Sequence, residues 1–251
     1  MKEFFAWLFS QNNSNLKIGL FDGWHFLYLF IIFGGTVALS ILGCKKPQRK
    51  QKLLEMMAYL TIGLYVIDFF IMPLSDSYNG ISAYKLPFNI CTIMAVLVPF
   101  VQFNPSFQKI RMPVVTLSIA SSLMWMCYPG TALGGQPPFS YVIFQTFMYH
   151  GVLFVWGVLS LTLGGVRLSF KSIWKEFVGI LCILFWAGIG NTVYPGEKNW
   201  FFISSSIFPF LSDEVMPIAV VACVFGVCVC IYAIYYGVRA LAARSKAKKE
   251  A

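Results

Sequence analysis

The sequence predicts an all-α polytopic membrane protein, one integral membrane domain over residues 1–251 built as a bundle of about seven transmembrane helices. Three observations predict it. Hydrophobic residues make up 58% of the chain and charged residues 12%, where about 25% charged is ordinary for a soluble domain. Apolar runs recur at lengths near the ~20 residues that a bilayer span needs. The basic residues between the runs fall almost wholly in alternate loops.

The runs place helices near Trp24–Leu42, Leu53–Pro73, Leu86–Phe103, Pro113–Cys127, Phe139–Leu163, Trp174–Tyr194 and Val215–Leu241. Ahead of them, Phe4–Phe9 is shorter than the ~7–15 apolar residues of a signal-peptide core, and polar residues follow at once. The 1–20 stretch is therefore expected to lie at the membrane interface, with Trp7 as its anchor. The third helix is expected to open at Pro87, where a first helical residue needs no backbone donor, which puts Cys91 one turn inside. The fourth is short, only just reaching the lower limit of ~17 residues.

Charge supports counting that fourth helix. Fifteen of the nineteen basic residues lie between the first and second helices, between the third and fourth, between the fifth and sixth, and after the last. Losing the fourth helix would break this alternation. By the positive-inside rule the N-terminus is expected outside and the C-terminus in the cytoplasm, with 242–251 as a basic cytoplasmic tail. The net charge of +9 thus marks topology and does not call for a nucleic-acid partner. The loops on the other side, Ser75–Ser82, Tyr128–Pro138 and Tyr194–Glu214, are rich in Gly, Pro and Ser, as plain connectors or as cover for a site mouth. Phe201, Phe202, Ile207 and Phe208 in the last of them suggest a piece that dips back into the interface.

Several function classes are excluded. The seven cysteines contain no Cys-x-x-Cys pair, which leaves no disulfide framework and no zinc signature. The last helix has no lysine for a retinal Schiff base, and there is no phosphate loop, no His-Glu-x-x-His and no Gly-x-Ser-x-Gly. No inverted repeat of the transporter kind is visible.

Ionisable groups at membrane depth are expensive and functional by default. The candidates are His25 at the start of the first helix, Asp68 deep in the second and His150 near the middle of the fifth, with Gln145, Tyr149 and Gly151 around it; Asn191 and Asn199 flank the end of the sixth. Cys91 and His150 lie at expected depths of roughly 8 and 16 Å from the same membrane face, within reach of each other on tilted neighbouring helices. A thiol near a helix start gains thiolate character from the dipole and a nearby base, whereas in bare hydrocarbon it is inert. His150 reads equally as that base or as a histidine locking two helices. Asp68 reads as a buried carboxyl, protonated or paired, and His25 as a solvated ring near the headgroups. Cys44, beside Lys45 and Lys46, is a palmitoylation candidate.

These residues fall in an order that carries a resemblance. His25, Leu86-Pro87-Phe88-Asn89-Ile90-Cys91, Tyr149-His150-Gly151 and Gly196-Glu197-Lys198-Asn199-Trp200 resemble the YwaF family of bacterial integral membrane proteins over roughly residues 20–240. That family is related to an animal transmembrane acyltransferase that remodels ether phospholipids. The resemblance implies Cys91 as nucleophile and His150 as base of a lipid acyltransferase or lipase-like enzyme in a bacterial cell membrane. Its partner would be a membrane phospholipid or lysophospholipid, with the acyl group carried through a thioester. Asn89 or Asn191 would hold the oxyanion, and His25, Asn199 and Tyr149 would line the binding site. No metal or soluble cofactor is expected, because the acyl donor comes from the bilayer. Family members often have His where this chain has Asn89 and Tyr where it has Trp200, which leaves His150 as the base. The alternative is a non-enzymatic transporter or lipid- or small-solute-binding protein whose cavity the same residues line.

Overall fold

The computed structural model describes residue 4 and residues 17–74, 85–129, 136–194, 199–203 and 210–250. The expected interfacial segment apart from residues 4 and 17–20, and so its anchor Trp7, the Ser75–Ser82 loop, the middle of the Tyr128–Pro138 loop, Gly196–Lys198, Ile207 and Phe208 lie outside the described residues. Among the described residues seven α-helices run in order: α1 Gly23–Lys45, α2 Lys50–Ile71, α3 Ile90–Phe103, α4 Arg111–Cys127, α5 Tyr141–Thr162, α6 Trp174–Val193 and α7 Met216–Glu250. No strand occurs among the described residues. Six of the seven, some with a flanking 3-10 turn, are long and apolar enough to cross a membrane, and α3 has 14 residues. The chain is therefore a multi-pass integral membrane protein.

Side-chain caps set two of the helix starts. Asp22 caps α1, its Oδ1 accepting from the His25 N–H at 2.8 Å and its Oδ2 from the Gly19 N–H at 2.6 Å. Ser140 takes the same place before α5, accepting from the Ile143 N–H at 3.4 Å. The third helix does not open at Pro87 as its sequence suggests. Lys85–Asn89 form a turn, with the Phe88 N–H donating to the Leu86 carbonyl at 2.8 Å, and Asn89 is extended. The Pro87 carbonyl is taken instead by the Trp186 indole N–H at 2.7 Å, so helix begins at Ile90 and Cys91 is its second residue. At the other extreme, α7 does not stop before the expected tail but continues to Glu250. Residues 240–250 are rich in Ala and Lys and contain neither Gly nor Pro, so nothing breaks the helix.

The bundle is organised around α4 and α5, which cross each other; α5 also packs against α1 and α2, and α4 against α3, α6 and α7. In their most apolar stretches, 61% and 67% of residues are buried, against 22–33% in the other spanning helices. Outer helices turn large side chains such as Phe30, Phe70, Phe185 and Ile218 outward, the surface that hydrocarbon accepts. The α4–α5 crossing depends on Gly157, where a Cβ would fall 2.5 Å from Ile119 Cγ1 and 3.2 Å from the Val115 carbonyl. Small residues allow such close approach between membrane helices. Gly157→Ala is expected to lower stability by ~1–3 kcal/mol, the range for overpacking, measured by denaturant unfolding in detergent.

Contacts define two ends. At one lie the starts of α1, α3, α5 and α7 and the ends of α2, α4 and α6. At the other, Glu176 on α6 is fully buried and its Oε1 accepts from Tyr232 of α7 at 2.6 Å and Thr116 of α4 at 3.0 Å. This lock joins three helices. The sequence hides it, because Glu176 follows Lys175 at the very start of the sixth span, where a charge is expected to reach water.

Candidate functional site

The candidate residues gather at the first end, where the Lys85–Asn89 turn feeds Cys91 into α3. Bonds from both neighbouring helices hold this segment. Tyr65 of α2 donates its hydroxyl to the Lys85 carbonyl at 2.7 Å, and Tyr149 of α5 donates to the Cys91 carbonyl at 2.8 Å. The Lys85 ammonium pairs with Asp68 of α2 and reaches Gln145 Oε1 of α5 at 3.4 Å, lying 6.0 Å over the Tyr149 ring. Asp68 is almost fully buried and also accepts from the Tyr141 hydroxyl at 2.6 Å. Of the readings open for Asp68 in the sequence, the structure selects the paired carboxyl. Lys85 carries no sequence motif of its own; its one signal is that it abuts the Leu86–Cys91 stretch.

His150 is the tenth residue of α5 and nearly buried. Its Nδ1 lies 2.8 Å from the Thr146 carbonyl. A carbonyl only accepts, so Nδ1 carries the proton and Nε2 presents a lone pair, with no hydrogen-bond partner among the described residues. The ring stacks on Trp125 of α4, centroids 4.0 Å apart and planes at 8°. The Cys91 thiol faces the Ser121 hydroxyl of the same helix. Ser121 and Trp125 are four residues apart and so share a face of α4 one turn apart. Cys91 and His150 therefore meet the same strip of the central helix, and Tyr149, next to His150, bonds the Cys91 carbonyl. No hydrogen bond joins Cys91 to His150 among the described residues.

The other expected site residues take varied places. His25 is fully buried, not solvated, with both nitrogens engaged. Nδ1 accepts from the Phe21 N–H at 3.0 Å and Nε2 donates to the Met126 carbonyl at 2.8 Å, so the neutral ring fastens α1 to the end of α4. The Asn191 amide is engaged at both ends by the Trp200 backbone, at 3.1 and 3.0 Å. Asn89 accepts at Oδ1 from the Phe201 N–H at 3.3 Å; because an N–H can only donate, this fixes the amide so that its NH2 faces elsewhere. Asn199 precedes the short 3-10 turn Trp200–Phe202, its carbonyl accepting from the Phe202 N–H at 3.2 Å. Phe201 is buried against the bundle. Ser121 and Trp125, which contact the two reactive candidates, escape sequence reading. Their only signal is the four-residue spacing of two polar-capable side chains in a helix of middling hydropathy.

Among the described residues, no group of His, Cys, Asp and Glu is arranged to hold a metal. A family model described as the TMEM164 family matches residues 20–236, nearly the extent over which the four motifs are spread. No curated protein and no solved structure matches the chain.

Proposed function

We propose, from the premise that this chain belongs to the TMEM164 family, that it is a membrane-embedded phospholipid acyltransferase or lipase-like enzyme using Cys91 as nucleophile and His150 as base. The observation that carries this reading is the His150 tautomer. The Nδ1–H bond to Thr146 leaves Nε2 as the basic nitrogen, on a ring set against the same face of α4 that meets the Cys91 thiol. In the reaction, His150 takes the thiol proton and the Cys91 sulfur bonds to the acyl carbon of a phospholipid. The ester C–O bond then breaks, and His150 returns the proton to the departing lysolipid oxygen. The hydroxyl of a second lysolipid, or water, attacks the thioester and restores the thiol. The Asn89 NH2 is the candidate donor to the oxyanion, worth ~3 kcal/mol if well placed. Catalytic hydrogen bonds are often long without substrate and tighten in the complex, so the missing Cys91–His150 bond would form with lipid bound. The N-terminus faces outside, on the side of the site, and the basic loops face the cytoplasm of a bacterial cell.

The buried Asp68–Lys85 pair favours a second reading, a transporter, since membrane carboxyls serve as proton relays. Alkylation separates the two. Cys44, Cys127, Cys182, Cys223 and Cys230 are exposed and Cys91 only partly so, so access alone favours the others. A lipid-like electrophile is expected to label Cys91 faster than these, and His150→Ala is expected to slow Cys91 alone. Equal labelling of Cys91 with and without His150, read by intact mass and peptide mapping, would sink the catalytic reading.

A further inference from the structure

Beside the site lies a turn with two features that both disfavour folding. Phe201 and Phe202 have φ of 57° and 54°, the left-handed region that bulky residues rarely adopt. Trp200, just before them, is fully buried, and its indole N–H has no hydrogen-bond partner among the described residues. Two other indoles are satisfied: Trp156 donates to Gln102 at 3.2 Å and Trp186 to the Pro87 carbonyl at 2.7 Å. Orphaned buried N–H groups are rare in folded proteins.

The bonds around the turn fix the ring without satisfying its N–H. Asn191 clamps the Trp200 backbone from both sides, and Asn89 Oδ1 takes the Phe201 N–H. The ring packs on Phe88 at 5.0 Å and Tyr194 at 5.7 Å between centroids. Phe88 is three residues before Cys91 and Asn89 is two, so the strained turn is fastened to the segment that delivers the thiol. Strain held in place by surrounding contacts, beside a donor left open, is the pattern of a group kept for a ligand.

We propose that Trp200 is a substrate-binding residue whose Nε1–H donates a hydrogen bond to an oxygen of the bound lipid, in its ester or its phosphodiester. The assignment rests on the reading of this site as one that takes a lipid, and not on thioester chemistry at Cys91. Two probes separate the oxygens: a monoacylglycerol carries the ester without phosphate, and an alkylphosphocholine carries phosphate without ester. Their affinities for the full chain in detergent would be measured in a Cys91→Ser background, so that turnover plays no part. Trp200→Phe removes the N–H. Replacing Trp200 by its benzothiophene analogue, with sulfur in place of N–H, does the same while keeping the ring's shape and guards against misfolding. Either folded variant is expected to bind one probe about tenfold more weakly, the scale of a single hydrogen bond, and the analogue is expected to be no less stable without lipid. Unchanged affinity for both probes would overturn the proposal, as would the absence of saturable binding to the parent protein. Trp200-dependent affinity, together with no acyl thioester in the protein that retains Cys91, would reject the catalytic reading and leave the subsite standing.

Discussion

Purified protein given a phospholipid with a labelled acyl chain is expected to carry that chain on Cys91 as a thioester, released by hydroxylamine and absent from Cys91→Ala. His150→Ala is expected to slow its formation by about 10²–10⁴-fold, the usual contribution of a positioned general base, while leaving the fold intact. The His150 ring is not needed to join α5 to another element by a hydrogen bond, since its Nδ1 bond to Thr146 stays within α5. That distinguishes it from His25, whose two bonds tie Phe21 and Met126 together. A thioester that forms at the parental rate in folded His150→Ala would reject the base assignment, and label that never reaches Cys91 in the parent protein would reject the nucleophile.

The largest effect on stability is expected at the ion pair. Lys85→Met leaves the Asp68 carboxylate, 1% exposed, with Tyr141 as its partner among the described residues, and removing one partner of a buried pair costs about 3–5 kcal/mol. Asp68→Asn is expected to cost less, about 1–2 kcal/mol. It keeps an acceptor for Tyr141, and the Lys85 side chain, 19% exposed, can turn its ammonium outward. The double variant Lys85→Met with Asp68→Asn should recover much of the loss, because no uncompensated charge remains. Denaturant unfolding of the four proteins closes the cycle. Asp68→Asn is further expected to form the Cys91 thioester, since Asp68 touches neither reactive group. Complete loss of function in a well-folded Asp68→Asn protein would instead point to proton-coupled transport.

The helix count was legible because lipid and charge both write it into the sequence: apolar length gives the spans, and basic loops give their alternation. What packing decides was less legible. The fourth helix reads as short and insecure, yet it is at the centre of the bundle, and a helix surrounded by protein needs no lipid-facing Phe and Leu. Its Ser118, Ser121 and Ser122 weaken the apolar signal for that same reason. The start of α3 was misread because Pro87 suits a first helical turn equally well as the tight turn it occupies; only the Trp186 bond to its carbonyl decides. At the site, Cys91, His150 and Asn89 could be named from residue type and motif. Lys85, Ser121 and Trp125 could not, since their significance is in which side chains they meet across helices. Glu176 was lost for the opposite reason, a charge that sequence assigns to water and the fold assigns to the core.

The central place of α4 bears on how the chain enters the membrane as it is made. Insertion machinery judges each segment largely on its own apolarity, and here it meets in succession α3, 14 residues or ~21 Å long, and then α4, with four buried hydroxyl-bearing residues, Thr116, Ser118, Ser121 and Ser122. Neither is a strong stop in isolation. α3 already has α2 beside it and packs on α4, but α4 gains its most extensive neighbour only when α5 emerges to cover its Ile119 face through Gly157. Integration of this middle portion is thus tied to assembly: α3 and α4 settle as a pair when their neighbours arrive, and the polar groups that form the site are sheltered from lipid by the same event that completes the bundle.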